Sequence, residues 1–196
     1  MERQIILCLS ALTLSTIASP ALSLTQRFDQ SHLASQATES LSKIDEVTAT
    51  QTRTVKDEAQ IRELTKKWFA VWSVKDKPFT GQGFEEVFAT GKNEILVFDN
   101  FKGGVVTLTS LKDYITTWVP VMQSSFSYWE IKPEGAVNVT IDGDLAVSTF
   151  TWVSNGRFKD GKAARIRQHA THMWRRMNGQ WRLVHEHLTI GNPPKS

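Results

Sequence analysis

Cysteine is almost absent from this chain: its 196 residues include a single one, Cys8, near the N-terminus. The rest of the chain therefore has no thiol for a disulfide, for a nucleophile or for a zinc–thiolate site. A domain without cross-links has to be stabilised by its core. The seven tryptophans all fall between Trp68 and Trp181, which predicts that the core lies in that part of the chain.

Several functional patterns are also missing, and each absence excludes a class of protein. The 23 Lys and Arg residues are scattered, with no basic run interleaved with aromatic residues, so we expect no nucleic-acid partner. The chain has no glycine-rich phosphate loop, no dinucleotide fingerprint and no Ser/His/Asp set around a nucleophile turn. We therefore expect no cofactor.

The first 23 residues have the features of a secretory signal peptide. Arg3 supplies a positive charge, residues 5–17 form an apolar stretch, and small residues permit cleavage after Ala21 or Ser23. The alternative is an uncleaved anchor, but the stretch is shorter than the ~20 residues that span a bilayer. We expect an exported protein, periplasmic or secreted, with no stable membrane association after cleavage.

The chain after the signal divides into a polar segment and a domain. Residues 24–54 are rich in Ser, Thr, Gln and Ala, and they have too few apolar side chains to offset the cost of ordering them. We expect a tether there that is disordered or loosely helical. The predicted domain covers residues 55–191, and a tail covers residues 192–196.

Helices are predicted in the first half of the domain. From Val55 to Trp72, apolar residues recur at three- and four-residue spacing, which is typical of a helix with one buried face. A short helix is predicted at 84–88. A third begins at the capping pair Thr109-Ser110 and is expected to break at Pro120.

The second half of the domain alternates between apolar and polar residues, which predicts antiparallel strands. Asp142-Gly143 and Asn178-Gly179 are hairpin turn sequences, and a further turn is predicted at 155–156. The predicted strands are 94–98, 105–108, 126–131, 135–141, 145–154, 164–177 and 181–190. Helices followed by long strands predict an α+β fold, with helices on one face of a curved antiparallel sheet.

Four of the five histidines fall in the last two predicted strands. Alternation places His169 and His172 on opposite faces, and it places His185 and His187 on the same face as Trp181. His185 and His187 could chelate a metal, but no carboxylate stands at a characteristic spacing, so we expect no metal site. His169, His172 and His187 are candidates for acid–base catalysis, and the alternative is a structural role within the sheet.

Asp99 follows an apolar run, and a carboxylate at the end of a buried strand is a candidate for a raised pKa and for a catalytic base. The alternative is a turn formed with Asn100. Further candidates could line a ligand pocket; otherwise the aromatic residues fill the core and the arginine lies on a solvated strand face. These ligand-binding candidates are Trp68, Trp72, Tyr114, Trp118, Trp152 and Arg167.

The segment 171–187, THMWRRMNGQWRLVHEH, resembles the closing hairpin of SnoaL-like domains in the nuclear transport factor 2-like superfamily. It is most similar to the association domain of calcium/calmodulin-dependent protein kinase. In that domain a strand ending Trp-x-Arg-Arg precedes an Asp/Asn-Gly turn and then Trp-x-x-Val-His-x-His. Phe98-Asp99 with the helix after it, and the segment 142–146, resemble further steps of the pattern.

This resemblance, over about residues 58–191, implies a cone-shaped fold with a strongly curved sheet wrapped around N-terminal helices. It also implies a pocket at the open end and a homodimer formed through the sheet. The family includes isomerases, dehydratases, cyclases and epoxide hydrolases that use a pocket Asp, His or Tyr, as well as members that only bind. The pocket arginines of the kinase association domain correspond here to Val153, Ala164 and His172, which argues against an anion pocket of the same kind.

Three functions are compatible with these observations. The first is an exported protein that binds a small organic ligand in a conical pocket lined by Trp and His. The second is a cofactor-free acid–base isomerase or lyase in which Asp99 is the base and a pocket histidine is the donor. The third is an oligomerisation hub for a partner tethered by residues 24–54. These functions differ in which of the candidate groups meet in one cavity.

Overall fold

The computed structural model describes residues 30–75, 77–101 and 104–192. The predicted signal peptide, residues 1–23, and most of the predicted tail lie outside the described residues. The chain divides into two compact units, Met1–Ile44 and Asp45–Ser196. The sheet and the cavity described below belong to the second unit.

The described residues form helices α1 (Gln30–Trp72), α2 (Phe84–Val87) and α3 (Leu111–Ser125). Helix α1 begins at Gln30 and so includes residues 30–54, part of the segment for which a disordered or loosely helical tether was expected. The side chains of residues 45–56 are all exposed, and burial at helical spacing begins at Asp57. None of the described helices combines the length and the apolar character needed to cross a bilayer.

Helix α3 continues past Pro120, where the sequence predicted a break. Its buried residues are spaced three or four apart and lie on both sides of the proline; they are Leu111, Tyr114, Trp118 and Met122. Because this apolar face packs along its whole length, burial outweighs the hydrogen bond that proline cannot donate. The predicted N-cap is confirmed: the Ser110 hydroxyl accepts a hydrogen bond from the backbone N–H of Asp113.

The strands of the described residues form one strongly curled, half-barrel sheet. The strands are β1 (Leu96–Phe101), β2 (Gly104–Leu108), β3 (Phe126–Asp142), β4 (Leu145–Phe158), β5 (Ala163–Ala164), β6 (Arg167–Met177) and β7 (Gln180–Ile190). Their order in the sheet is β2-β1-β7-β6-β4-β3, with β5 paired to β4, and the pairs are antiparallel apart from the parallel β1–β7 pair. The predicted α+β class and curved sheet are confirmed.

Two of the predicted hairpin turns are confirmed, and the third is wrong. In the β6–β7 turn, Asn178 and Gly179 have φ angles of 51° and 77°, as a two-residue type I′ turn requires. The predicted turn at 155–156 lies inside β4 instead. Gly156 lets the backbone of β4 pass close to the ring of Trp129, since a Cβ atom on it would stand 2.8 Å from Cε3 of that ring.

A β-bulge in β7 decides which of its side chains face the core. Leu183 pairs with Trp174, but the next pair joins His185 to Met173, so Val184 is an extra residue. The bulge turns Glu186 inward, fully buried, and leaves His187 exposed. The expectation that His185 and His187 share the buried face of Trp181 is therefore wrong.

Candidate functional site

The concave side of the sheet, α1 and α3 together enclose a narrow cavity. It measures about 440 Å³ between its walls, including its mouth, and leaves about 40 Å³ for the centres of water molecules. Five tryptophans from four different elements line it, together with apolar side chains of α3, β3 and β7. The tryptophans are Trp68, Trp72, Trp118, Trp129 and Trp152. Apolar concave sites of this kind are where proteins bind small organic molecules.

Asp99 is the carboxylate in the lining of this cavity. Strand alternation in β1 turns it inward with Ile95 and Val97, and its side chain is buried. Burial, and next the charge of Glu186, raise the pKa of Asp99 to about 7, against opposing hydrogen bonds from Asn100 and Gln168. The amide of Gln168 stands 3.4 Å from Oδ1 of Asp99 and also donates to the carbonyl of Asn100. Asp99 can therefore give up or take up a proton near neutral pH.

A buried polar network lies around Glu186. Tyr114 donates its hydroxyl hydrogen to Oε1 of Glu186 at 2.8 Å, and the indole of Trp72 donates to the Tyr114 oxygen at 3.2 Å. Nε2 of His172 stands 3.1 Å from Oε2 of Glu186, without the alignment of a hydrogen bond. Burial first, and then the charges of Glu186 and Asp99, raise the pKa of Tyr114 well above its usual value. Tyr114 therefore stays protonated and acts as a fixed donor.

The structure brings some of the predicted site residues together and separates others. Asp99 lines the cavity with four of the predicted aromatic residues, Trp68, Trp72, Trp118 and Trp152. Tyr114 and His172 are buried in the network around Glu186 and are not among the cavity-lining residues.

The remaining predicted residues lie away from the cavity. His169 is exposed and pairs with the hydroxyl of Thr151 at 2.9 Å, and His187 is exposed because of the bulge in β7. Arg167 forms a salt bridge with Glu134 at 2.6 Å. Of the four predicted catalytic candidates, Asp99 alone lines the cavity, so a donor histidine does not meet it there.

Sequence reasoning missed three residues that shape the site. Alternation places Gln168 on the same face of its strand as His172, but the sequence did not show which face of that strand is the inner one. Trp129 lies on a predicted strand, but its strand had no assigned inner face. Glu186 had no usable signal, because the bulge reverses the alternation of β7 after Leu183.

Several indole N–H groups at the cavity have no acceptor. Nε1 of Trp68, Trp129 and Trp152 is buried and finds no hydrogen-bond partner within the described part of the chain. Buried donors are nearly always paired in folded proteins, so three open donors around one cavity are unusual. The three side chains that carry these donors all line the cavity. Across residues 30–75, 77–101 and 104–192, no group of three or more His, Cys, Asp or Glu side chains could hold a metal ion.

Comparison with solved structures places this architecture among nuclear transport factor 2-like proteins. A superfamily member from Salmonella enterica serovar Typhimurium LT2 is 21% identical, with a TM-score of 0.55 over 72% of this chain and 94% of its own. A hexachlorocyclohexane dehydrochlorinase, LinA type 2, is 10% identical, with a TM-score of 0.57 over 72% and 91%. A candidate ketosteroid isomerase from Shewanella frigidimarina is 20% identical, with a TM-score of 0.50 over 65% and 92%. At these identities the likeness shows a shared fold alone.

The family follows from the sequence itself. A model of the SnoaL-like domain matches residues 79–193. The chain therefore belongs to the SnoaL-like domain family, which confirms the predicted SnoaL-like, nuclear transport factor 2-like membership. Among proteins with curated functions, none matches the sequence.

Proposed function

We propose that the cavity binds a small, flat, largely apolar organic molecule that carries at least one hydrogen-bond acceptor. The observation that carries this proposal is the set of open indole donors on Trp68, Trp129 and Trp152, in a narrow cavity with apolar walls. Aromatic walls favour a ring, and an acceptor on that ring would relieve the cost of buried donors without partners.

Conservative substitutions of the wall test this proposal. Trp129→Phe and Trp152→Phe keep an aromatic ring but remove the N–H donor. We expect at least one of them to weaken binding of a cyclic ketone about fivefold to tenfold, the value of roughly one hydrogen bond. Binding of the parent hydrocarbon should change little. Calorimetric titration of both compounds provides the measurement.

Trp174→Phe is the matched control, because that indole donates to the hydroxyl of Ser148 at 2.9 Å and lies outside the cavity lining. It should leave both affinities unchanged. Equal losses for ketone and hydrocarbon, in every variant, would mean that the indole donors do not recognise the ligand.

Asp99 favours a second candidate function, a cofactor-free acid–base isomerase or lyase. Its carboxyl group has a pKa of about 7 and faces an apolar cavity, which are the properties of a general base working near neutral pH. A dehydrochlorinase and a candidate ketosteroid isomerase share this fold. No described histidine lines the cavity, so we propose no histidine as the proton donor.

The proposed isomerase step is a proton transfer within the bound ligand. For a ligand in which one carbon separates the carbonyl from a carbon–carbon double bond, ionised Asp99 removes a proton from that carbon, and the C–H electron pair moves to form a dienolate. The open indole donors would stabilise the developing charge on the carbonyl oxygen. Neutral Asp99 then returns the same proton to the far carbon of the dienolate, so the double bond moves into conjugation with the carbonyl and the carboxylate is regenerated.

Asp99→Asn separates binding from catalysis. The amide has nearly the same size but cannot accept the proton, so turnover should fall by a factor of roughly 10² to 10⁴ while ligand affinity changes only slightly. If the variant turns over substrate at the wild-type rate, Asp99 is not the base and binding alone remains.

We also propose that the protein is exported and forms a homodimer. The signal-peptide features of residues 1–23 support export, and N-terminal sequencing of the exported protein would locate the cleavage site. The resemblance of the closing hairpin to the kinase association domain supports a homodimer formed through the sheet. The outer sheet face carries exposed apolar side chains at Leu145, Val147 and Met173.

A further inference from the structure

A second, wider concavity adjoins the cavity. It is an open groove that leaves about 620 Å³ for the centres of water molecules. Three buried side chains, Met122, Phe126 and Trp129, line both the groove and the cavity. They therefore form a shared wall between the two spaces.

The groove is basic where the cavity is apolar. Lys75, Lys77 and Lys159 line it, and no described lining residue is a carboxylate. Lys75 is paired with Glu130 at 3.0 Å, so its charge is partly compensated. Lys77 and Lys159 have no salt bridge with any described acidic group. Asp76 lies outside the described residues.

A ligand could reach both spaces only by displacing a side chain of the shared wall. Met122 has an unbranched, flexible side chain that adapts to its surroundings more readily than an aromatic ring. A ring held between the tryptophans could therefore extend a substituent past Met122 into the groove. An anionic substituent there would meet two lysines that form no salt bridge with an acidic group in the described part of the chain.

We infer that the ligand of this protein is an aromatic or alicyclic acid, with its ring in the tryptophan cavity and its carboxylate in the groove near Lys77 and Lys159. This inference rests on the proposed binding function and adds the chemical class of the ligand. It places the anion on lysines of the segment after α1 and of the loop after β4. These positions differ from those that correspond to the arginines of the kinase association domain.

Paired probes test the inference: 2-naphthoate, which carries the carboxylate, and 2-naphthamide, which has the same rings without the charge. Calorimetric titration at about pH 6, below the pKa of Asp99 of about 7, keeps that carboxyl group largely neutral. We expect Lys77→Gln/Lys159→Gln to weaken naphthoate binding about fivefold to tenfold, the value of one or two exposed ion pairs. Naphthamide binding should change less than about twofold, and added salt should weaken naphthoate binding alone.

Lys112→Gln is the matched control, because it removes an exposed lysine of α3 that lies outside both linings. It should leave both affinities unchanged. If wild type and double variant bind both probes equally well, the anion subsite is refuted and the apolar cavity remains as the binding site. If the wild type binds neither probe, the binding function and the inference fail together.

Discussion

At the scale of single residues, Asp99 is the most unusual group in the protein. A carboxylate is stable in water but costly in an apolar cavity, and the negative charge of Glu186 adds to that cost. The compensating groups are neutral: the backbone N–H of Asn100 and the side-chain amide of Gln168. Burying Asp99 therefore lowers the free energy of unfolding when its carboxyl group is ionised, and it yields a group that can exchange a proton near neutral pH.

This cost predicts how stability depends on pH. The pKa of Asp99 is raised from its usual 3.8 to about 7, so the folded state holds its proton more tightly than the unfolded state. The Asp99 contribution to the free energy of unfolding is therefore complete below about pH 4 and is lost as the pH rises through about 7. The loss is about 4 kcal/mol at most. Urea unfolding of wild type and Asp99→Asn across this range measures it.

Asp99→Asn should flatten that part of the stability curve. Glu186→Gln removes a charge that raises the pKa of Asp99, so that pKa should fall. The decline in stability should then be smaller and end at a lower pH, which leaves the variant with a smaller Asp99 loss near neutral pH. Glu63→Gln, an exposed carboxylate on α1, is the control and should follow the wild type. A curve for Asp99→Asn that parallels the wild type from pH 4 to pH 7 would contradict the assignment.

At the scale of elements, the site depends on two irregularities of the sheet. The bulge at Val184 brings Glu186 into the core, within reach of Tyr114 and His172. Gly156 lets β4 pass close to the ring of Trp129, which lines both the cavity and the groove. Neither feature belongs to regular strand geometry, and both position side chains of the site.

Gly156→Ala should destabilise the protein by about 1–3 kcal/mol, because the new methyl group would displace Trp129 and crowd the carbonyl of Tyr128. Ligand affinity should fall as well, since Trp129 forms part of the cavity wall. Gly104→Ala in β2 is the control: a Cβ atom there meets nothing within 4 Å. Thermal unfolding and ligand titration of both variants give the comparison, and equal stability of the two would contradict the close-packing explanation.

At the scale of the whole molecule, the two faces of the sheet differ in burial and in the side chains they carry. The inner face holds the cavity and the buried network, whereas the outer face combines exposed histidines with a short apolar row. In that row Val147 pairs directly with Met173 across β4 and β6. Exposed apolar neighbours on a sheet are a common feature of association surfaces.

Val147→Lys/Met173→Lys tests the proposed association through this face. We expect the wild type to be a dimer by light scattering and the double variant to be a monomer, because two added charges would oppose each other across the interface. Val55→Lys, at an exposed position of α1, is the control and should remain dimeric. A dimer that persists in the double variant would place the interface elsewhere.

Much of the fold could be predicted because its signals are local. The Asn178-Gly179 turn, the alternation that puts Gln168 and His172 on one face, and the Ser110 cap each depend on a few neighbouring residues. Asp99 was a candidate for the same reason, as a carboxylate at the end of an apolar run. The errors arose where distant residues decide the outcome, as when packing of Met122 extends α3 past Pro120.

The sequence by itself determined the family, the α+β class, the hairpins and the candidacy of Asp99, because composition, spacing and turn chemistry act over short stretches of chain. The tertiary structure alone decided which candidates share a cavity. A single extra residue in β7 exchanged His187 for Glu186 on the inner face, and the curvature of the sheet gathered tryptophans from α1, α3, β3 and β4 around Asp99. Burial and charge around that carboxylate depend on residues far away in sequence, so its pKa became visible only in the folded chain.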